Sequence, residues 1–300
     1  MKTGFFRALW GSCAGTAIFD DLRFQHWGRA IWHLLLMTLI ASLIMFWGIY
    51  PALKQIVLRS AAVVGDNCGE LRFNANGIFP VENPNKERLF LIAGPTAVTY
   101  VPEDCTTLPE NFKQGAAQGV IWNGSQCILW FAGTGGIYQY SSINGPLVPG
   151  EMMQTDDPAV LLKALKKSSA IKLNLPAGKH QDFSPSQIQA IIKLILPPGM
   201  ILILFQRTLV EVVIYILMFS LVFLMMNFRR EGRLKFMEMI TLSIYAGFPA
   251  MIAGSVASAL QLPVLTFNLV YVLGMTFYMV VIMNRLERLR QERAWRSQSE

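Results

Sequence analysis

Four apolar runs constrain this chain more than any other feature: Ile31–Tyr50, Gly199–Phe228, Met239–Leu260 and Pro263–Met283. Each reaches or exceeds the roughly 20 residues that a helix needs to cross the hydrocarbon core of a bilayer. At 53% hydrophobic and 15% charged, the 300 residues are too apolar for an ordinary soluble domain. The mean hydropathy of +0.40 agrees. The sequence therefore predicts four crossings. The first run lacks a small-x-small cleavage site before Pro51, which reads as an uncleaved signal anchor and not a secretory signal peptide.

Basic side chains orient these spans, because Lys and Arg crowd the short cytoplasmic flanks. Lys2, Arg7, Arg23 and Arg29 precede the first span, Arg229, Arg230, Arg233 and Lys235 follow the second, and Arg285, Arg288, Arg290, Arg293 and Arg296 follow the last. Both termini are thus expected in the cytoplasm of a bacterium, with the chain multi-pass in its inner membrane. Residues 51–195 balance 12 basic against 11 acidic side chains and are expected outside. The net charge of +7 then belongs to the flanks, and anionic lipid headgroups are the partner it implies. Nucleic acid is not expected, since Glu287 and Glu292 interrupt the basic face of the tail.

Five segments follow. Residues 1–30 form a cytoplasmic amphipathic segment, 31–50 the first transmembrane helix, 51–196 an extracytoplasmic domain, 197–284 a three-helix transmembrane bundle (about 199–228, 239–260 and 263–283), and 285–300 a basic cytoplasmic tail. In the first segment Phe5, Phe6, Leu9, Trp10, Cys13 and Ala17 recur at helical spacing. That stripe fits either the inner membrane surface or the underside of the bundle.

The extracytoplasmic segment changes to extended patterning. Glu70–Gly77 alternates into an Asn-Gly turn, Arg88–Tyr100 is strand-like around Gly94-Pro95, and Gly119–Phe131 reads as a hairpin on Asn123-Gly124. Gly136–Ser141 adds a short strand, which together predict a small, mainly antiparallel sheet. Asp156 or Asp157 before Pro158 caps a helix over 159–167, and Ser184 before Pro185 caps one that stops at Pro197-Pro198-Gly199. The fold class expected is an α-helical membrane protein with four transmembrane helices and a small α+β extracytoplasmic domain between the first and second.

Arg207 and Glu211 stand out inside the second span, four residues apart and able to pair on one helix face. Intramembrane charges mark solute paths or proton relays. Gly199–Phe228, however, would make a helix about 45 Å long against a core of about 30 Å. Counting back from Asn227 puts Arg207 at the outer interface, where it can snorkel; a steep tilt would bury the pair. In the third span Ala246, Ala250, Gly254 and Ser258 repeat every four residues and permit close helix contact, and Pro249 after Gly247 predicts a kink. Asn268 is read as an interhelical hydrogen-bond donor. Pro197, Pro198 and Gly199 are read as a hinge.

No constellation for catalysis emerges. His26 and His33 lie seven apart and are read as interface and packing residues, and Gly133-Thr-Gly-Gly136 lacks the Gly-Lys-Ser/Thr of a phosphate loop and is read as a turn. Neither a metal nor another cofactor is implied. Of four cysteines, Cys68, Cys105 and Cys127 fall in the segment expected outside, where one pair could form a disulfide.

Phe5-Phe6-Arg7-Ala8-Leu9, Leu22–Ala30 leading into the first span, and Tyr245–Pro249 in the third resemble, in that order, the bacterial membrane family grouped as domain of unknown function 1189. That family is distantly similar to the Yip-type membrane proteins. Some relatives are labelled maltodextrin-utilisation proteins, so the resemblance implies a setting in carbohydrate uptake. The function expected is a non-enzymatic accessory, scaffolding or sensory component of the envelope that meets other membrane proteins or copies of itself. A subunit of a transporter or channel that uses Arg207 and Glu211 is the alternative.

Overall fold

The computed structural model describes residues 3–92, 96–133, 137–142, 153–155, 157–176, 178–227 and 234–299. Arg229, Arg230, Arg233, Asp156 and Thr134–Gly136 lie outside them, and with them those parts of the expectations. Four described helices are long and apolar enough to cross a membrane: α3 (Trp27–Cys68), α5 (Pro185–Asn227), α6 (Phe236–Ala259) and α7 (Phe267–Ser299). The chain divides into two compact units, residues 1–51 with 197–300, and residues 52–196.

Two helix ends differ from expectation. α3 does not stop before Pro51, and α5 does not stop at Pro197-Pro198. Each proline removes one i→i−4 hydrogen bond, but its fixed φ already suits a helix. The carbonyls so freed belong to Trp47, Lys193 and Leu194, all at exposed positions where other donors can reach them. The expected hinge at Pro197, Pro198 and Gly199 is therefore continuous helix. α6 likewise runs through Pro249.

In the first unit α6 is the central element. Of its most apolar stretch 72% is buried, against 22% for α5. His33 of α3 meets Tyr245, and Gly48 meets Ala259, so α3 and α6 run parallel. α7 runs antiparallel to α6, pairing Gly247 with Tyr271 and Gly274 with Ala250, while Gly254 lies against Phe267. Ser220 of α5 lies 3.0 Å from Ser243 of α6 in the antiparallel sense. Two short helices, α1 (Phe5–Ala14) and α2 (Phe19–Leu22), pack on α6. The stripe of α1 splits: Phe5 and Leu9 join the core, whereas Phe6, Trp10 and Cys13 face out.

The second unit holds two sheets where a single one was expected. β1 (Leu71–Asn74) lies between β2 (Gly77–Pro80) and β9 (His180–Phe183), all antiparallel. The larger sheet has the order β3 (Arg88–Ile92), β4 (Thr96–Tyr100), β5 (Gln118–Trp122), β6 (Cys127–Ala132), β7 (Tyr138–Ser142) and β8 (Met153–Thr155). β4 and β5 pair in parallel, which needs a crossover instead of a tight turn. Helix α4 (Pro158–Lys167), capped by Asp157, buries Leu161, Leu162 and Leu165 in a core with Trp130 and Ile128. Ser184 and Gln187 form a reciprocal cap on α5, each accepting from the other's backbone N–H.

Cys68, Cys105 and Cys127, among which one pair could form a disulfide, are free thiols here. Cys68 and Phe90 share one buried cluster, and Cys105 packs at the edge of another. The Cys105 thiol donates to the Thr107 carbonyl at 2.8 Å, and burial pushes its pKa up. Burial pushes the Cys127 thiol up to about 12, which keeps it unreactive near neutral pH.

Candidate functional site

Two constellations in the first unit gather residues from several helices. The first surrounds the Arg207–Glu211 pair. Helix spacing brings Arg207 Nε to 3.0 Å from Glu211 Oε1, with the arginine side chain 70% exposed and the glutamate 25%. An exposed pair of this kind contributes about 0.3–0.5 kcal/mol, too little to be its reason for being there. Beside it lies a cavity of about 330 Å³.

Met45 and Ile49 of α3, Ser258 at the end of α6, and Gln261 and Thr266 of the α6–α7 connection line the same cavity. Ion pair and connecting loop therefore occupy one end of the bundle. Gln261 donates from Nε2 to the Gly48 carbonyl at 3.3 Å and ties the loop to α3. Asn268 lines the cavity too, but makes no interhelical hydrogen bond among the described residues: its Oδ1 is buried and unpartnered. Gly254 opposite Phe267 offers that stretch of α7 no side-chain donor, and the Gln261 amide donates to α3 instead.

The second constellation lies toward the other end, and sequence reasoning did not find it. His33 Nδ1 and Tyr245 Oη, both buried, share a hydrogen bond of 2.9 Å. Phe5 stacks edge-on against His33 at 5.5 Å and lies 6.4 Å from Phe248. Gln25 clamps the N-terminal segment, accepting from Thr3 N at 3.3 Å and donating to Thr3 O at 2.9 Å. The three segments that carry the resemblance, around Phe5, Leu22–Ala30 and Tyr245–Pro249, thus meet in one place. His26 takes no part in it. Its Nδ1 accepts from Gly28 N before α3 begins.

A match to the family described as protein of unknown function (DUF1189) covers residues 6–283 and takes in all three segments except Phe5. The chain belongs to the DUF1189 family. The match gives no support to the further likeness to Yip-type proteins. No curated protein and no solved structure matches the chain significantly.

In this DUF1189 protein the small residues of α6 divide their work. Ala250 and Gly254 admit α7, Gly247 leaves room for the Tyr271 hydroxyl, Ala246 fills the core, and Ser258 faces the cavity. Among the described residues no three His, Cys, Asp or Glu side chains gather as a metal site would require. Between the two ends the polar side chains bond within their own helix, and Ser220 also donates to Ser243 of α6. Thr38 and Ser42 donate to the carbonyls one turn back, as does Ser220 to Ile216.

Proposed function

We propose that this DUF1189 protein is a non-enzymatic accessory or sensory component of the bacterial inner membrane. Its termini lie in the cytoplasm and its α+β unit outside, reading a partner or solute there and passing the result through the bundle. The observation that carries this reading is the continuity of α3 and α5, each of which supplies residues to both compact units without a break. Motion at the outer end of α3 or α5 then passes along the same helix, as along a lever, into the bundle.

The placement of Arg207 and Glu211 beside the α6–α7 loop supports an interfacial role for the pair, as does the local bonding of Thr38 and Ser42. A solute path would need polar groups converging at mid-membrane.

Complementation of a deletion strain, under envelope stress and with maltodextrin as carbon source, separates the two readings. Insertion of three glycines between Leu196 and Pro197 breaks the lever and is expected to abolish complementation with normal membrane insertion. Arg207→Ala with Glu211→Ala is expected to complement. The opposite pattern, glycines tolerated and the double alanine variant null, would put the transporter reading first.

A further inference from the structure

The lateral face of α7 changes character along its length. Leu269, Leu273, Phe277 and Val280 are exposed at helical spacing, and the same stripe continues into Asn284 and Arg288. At that point a cleft of about 540 Å³ opens between α7 and Thr16 of the α1–α2 connection. Arg285 reaches across it, donating from Nη1 to Thr16 Oγ1 at 3.3 Å, while its Nε is buried with no partner. Arg288 lines the cleft without an ion pair among the described residues, and Glu292 lines it too, one helical turn further along α7. Two guanidiniums against one carboxylate leave the cleft with an excess positive charge.

We propose that this cleft binds the phosphate of an anionic glycerophospholipid, with the acyl chains lying along Leu273, Phe277 and Val280. Guanidinium forks match phosphate oxygens, and the Thr16 hydroxyl and Asn284 amide add donors of the right kind. Continuity between the apolar stripe and the basic cleft selects a lipid over free phosphate, which would gain nothing from the stripe. Glu292 faces the distal part of the headgroup, where glycerol hydroxyls can donate to it. The net charge favours phosphatidylglycerol over zwitterionic phosphatidylethanolamine. The inference rests on the reading that these helices cross a membrane with the chain termini on the cytoplasmic side, and it assigns that end of the bundle a specific lipid contact.

The test uses the purified full-length chain in detergent, incubated with dioleoyl phosphatidylglycerol, dioleoyl phosphatidylethanolamine or inorganic phosphate. Bound lipid is counted by native mass spectrometry and protection by thermal unfolding. Phosphatidylglycerol is expected to be retained selectively, with retention falling about fivefold in Arg288→Gln, the loss of one surface cation contact. The fall should be larger when Arg285→Gln is added. Arg59→Gln removes an equal charge in the second unit and is expected to bind like wild type. Retention unchanged in both arginine variants would overturn the proposal, as would equal retention of phosphatidylethanolamine or equal protection by inorganic phosphate. Impermeant labelling of a cysteine placed at position 296 tests the topology separately: selective binding with external labelling would retain the site and discard the orientation, and internal labelling without selectivity the reverse.

Discussion

Helices α5 and α6 are both apolar, both contain proline, and sit in opposite environments. The most apolar stretch of α5 has the higher mean hydropathy, 2.6 against 1.5, yet only 22% of that stretch is buried against 72% in α6. The more hydrophobic stretch is the outer one. Its exposed side carries large apolar side chains, Leu217, Leu221, Val222 and Met225. Protein neighbours demand close approach, which Gly247, Ala250 and Gly254 supply in α6. Contact with the core runs along a narrow stripe of α5, through Thr208, Val212, Ile216, Ser220 and Phe223. Here the two extremes of hydropathy mark the least and the most buried of the four helices, and small residues mark the central one.

The contrast can be broken where α6 is tightest. A Cβ on Gly48 would lie 2.1 Å from the Ala259 carbonyl oxygen and 2.4 Å from its Cα. Backbone cannot yield as a side chain would, so Gly48→Ala is expected to destabilise the bundle by about 3 kcal/mol, measured by thermal unfolding in detergent. A near-neutral result would mean that α3 does not cross α6 there. Next in size is Tyr245→Phe, which leaves His33 Nδ1 buried without its partner. A loss of about 1 kcal/mol is expected in the same assay, and none if the hydroxyl is dispensable.

A smaller effect tests the second unit, outside the lipid contrast altogether. Arg72 donates two 2.8 Å hydrogen bonds to Asp182 across β1 and β9, and these hold the Asp182 carboxyl below its ordinary value of 3.8. A depressed native pKa stabilises above the unfolded value and is lost as pH falls through the native one. The thermal advantage of wild type over Asp182→Asn should therefore be full at neutral pH and fade below pH 3.8. Both side chains are exposed, so salt should shrink it as well. An advantage unchanged down to pH 2 or so would assign it to something other than the pair. The least change is expected from Leu221→Ala on the outer face of α5, within about 0.5 kcal/mol. A loss several times larger would sharpen the contrast differently, by showing that a second protein covers that face.

Much of this architecture was legible in the sequence. Four spans could be read because hydropathy over some twenty residues is decisive on its own. Their ends were not, because proline reads as a local breaker, yet its φ suits a helix and the carbonyls it frees at Pro51, Pro197 and Pro198 sit at exposed positions. Strand β9, His-Gln-Asp-Phe, has no apolar alternation and is held by pairing with β1, a partner 110 residues away at Arg72–Asp182. At the candidate sites the Arg207–Glu211 pair was visible as an i, i+4 spacing, but the cavity beside it takes residues from four elements. His33 and Tyr245 are 212 residues apart, and nothing local in either segment announces the other.

The path of the chain into and out of the second unit has a consequence for how its contents can vary. Gly65 lies against Pro185, and β1 pairs with β9 from Leu71–Phe183 to Asn74–His180. Everything between Asn74 and His180 is thus closed off by a clasp at its own base. The entropy of joining two chain ends grows as (3/2)RT ln n, about 0.6 kcal/mol for each doubling of the loop. With the clasp formed, that penalty is set by the short segments outside it and no longer by the residues within. Shortening, lengthening or replacing the stretch between β1 and β9 should leave the closure of α3 against α5 thermodynamically unchanged.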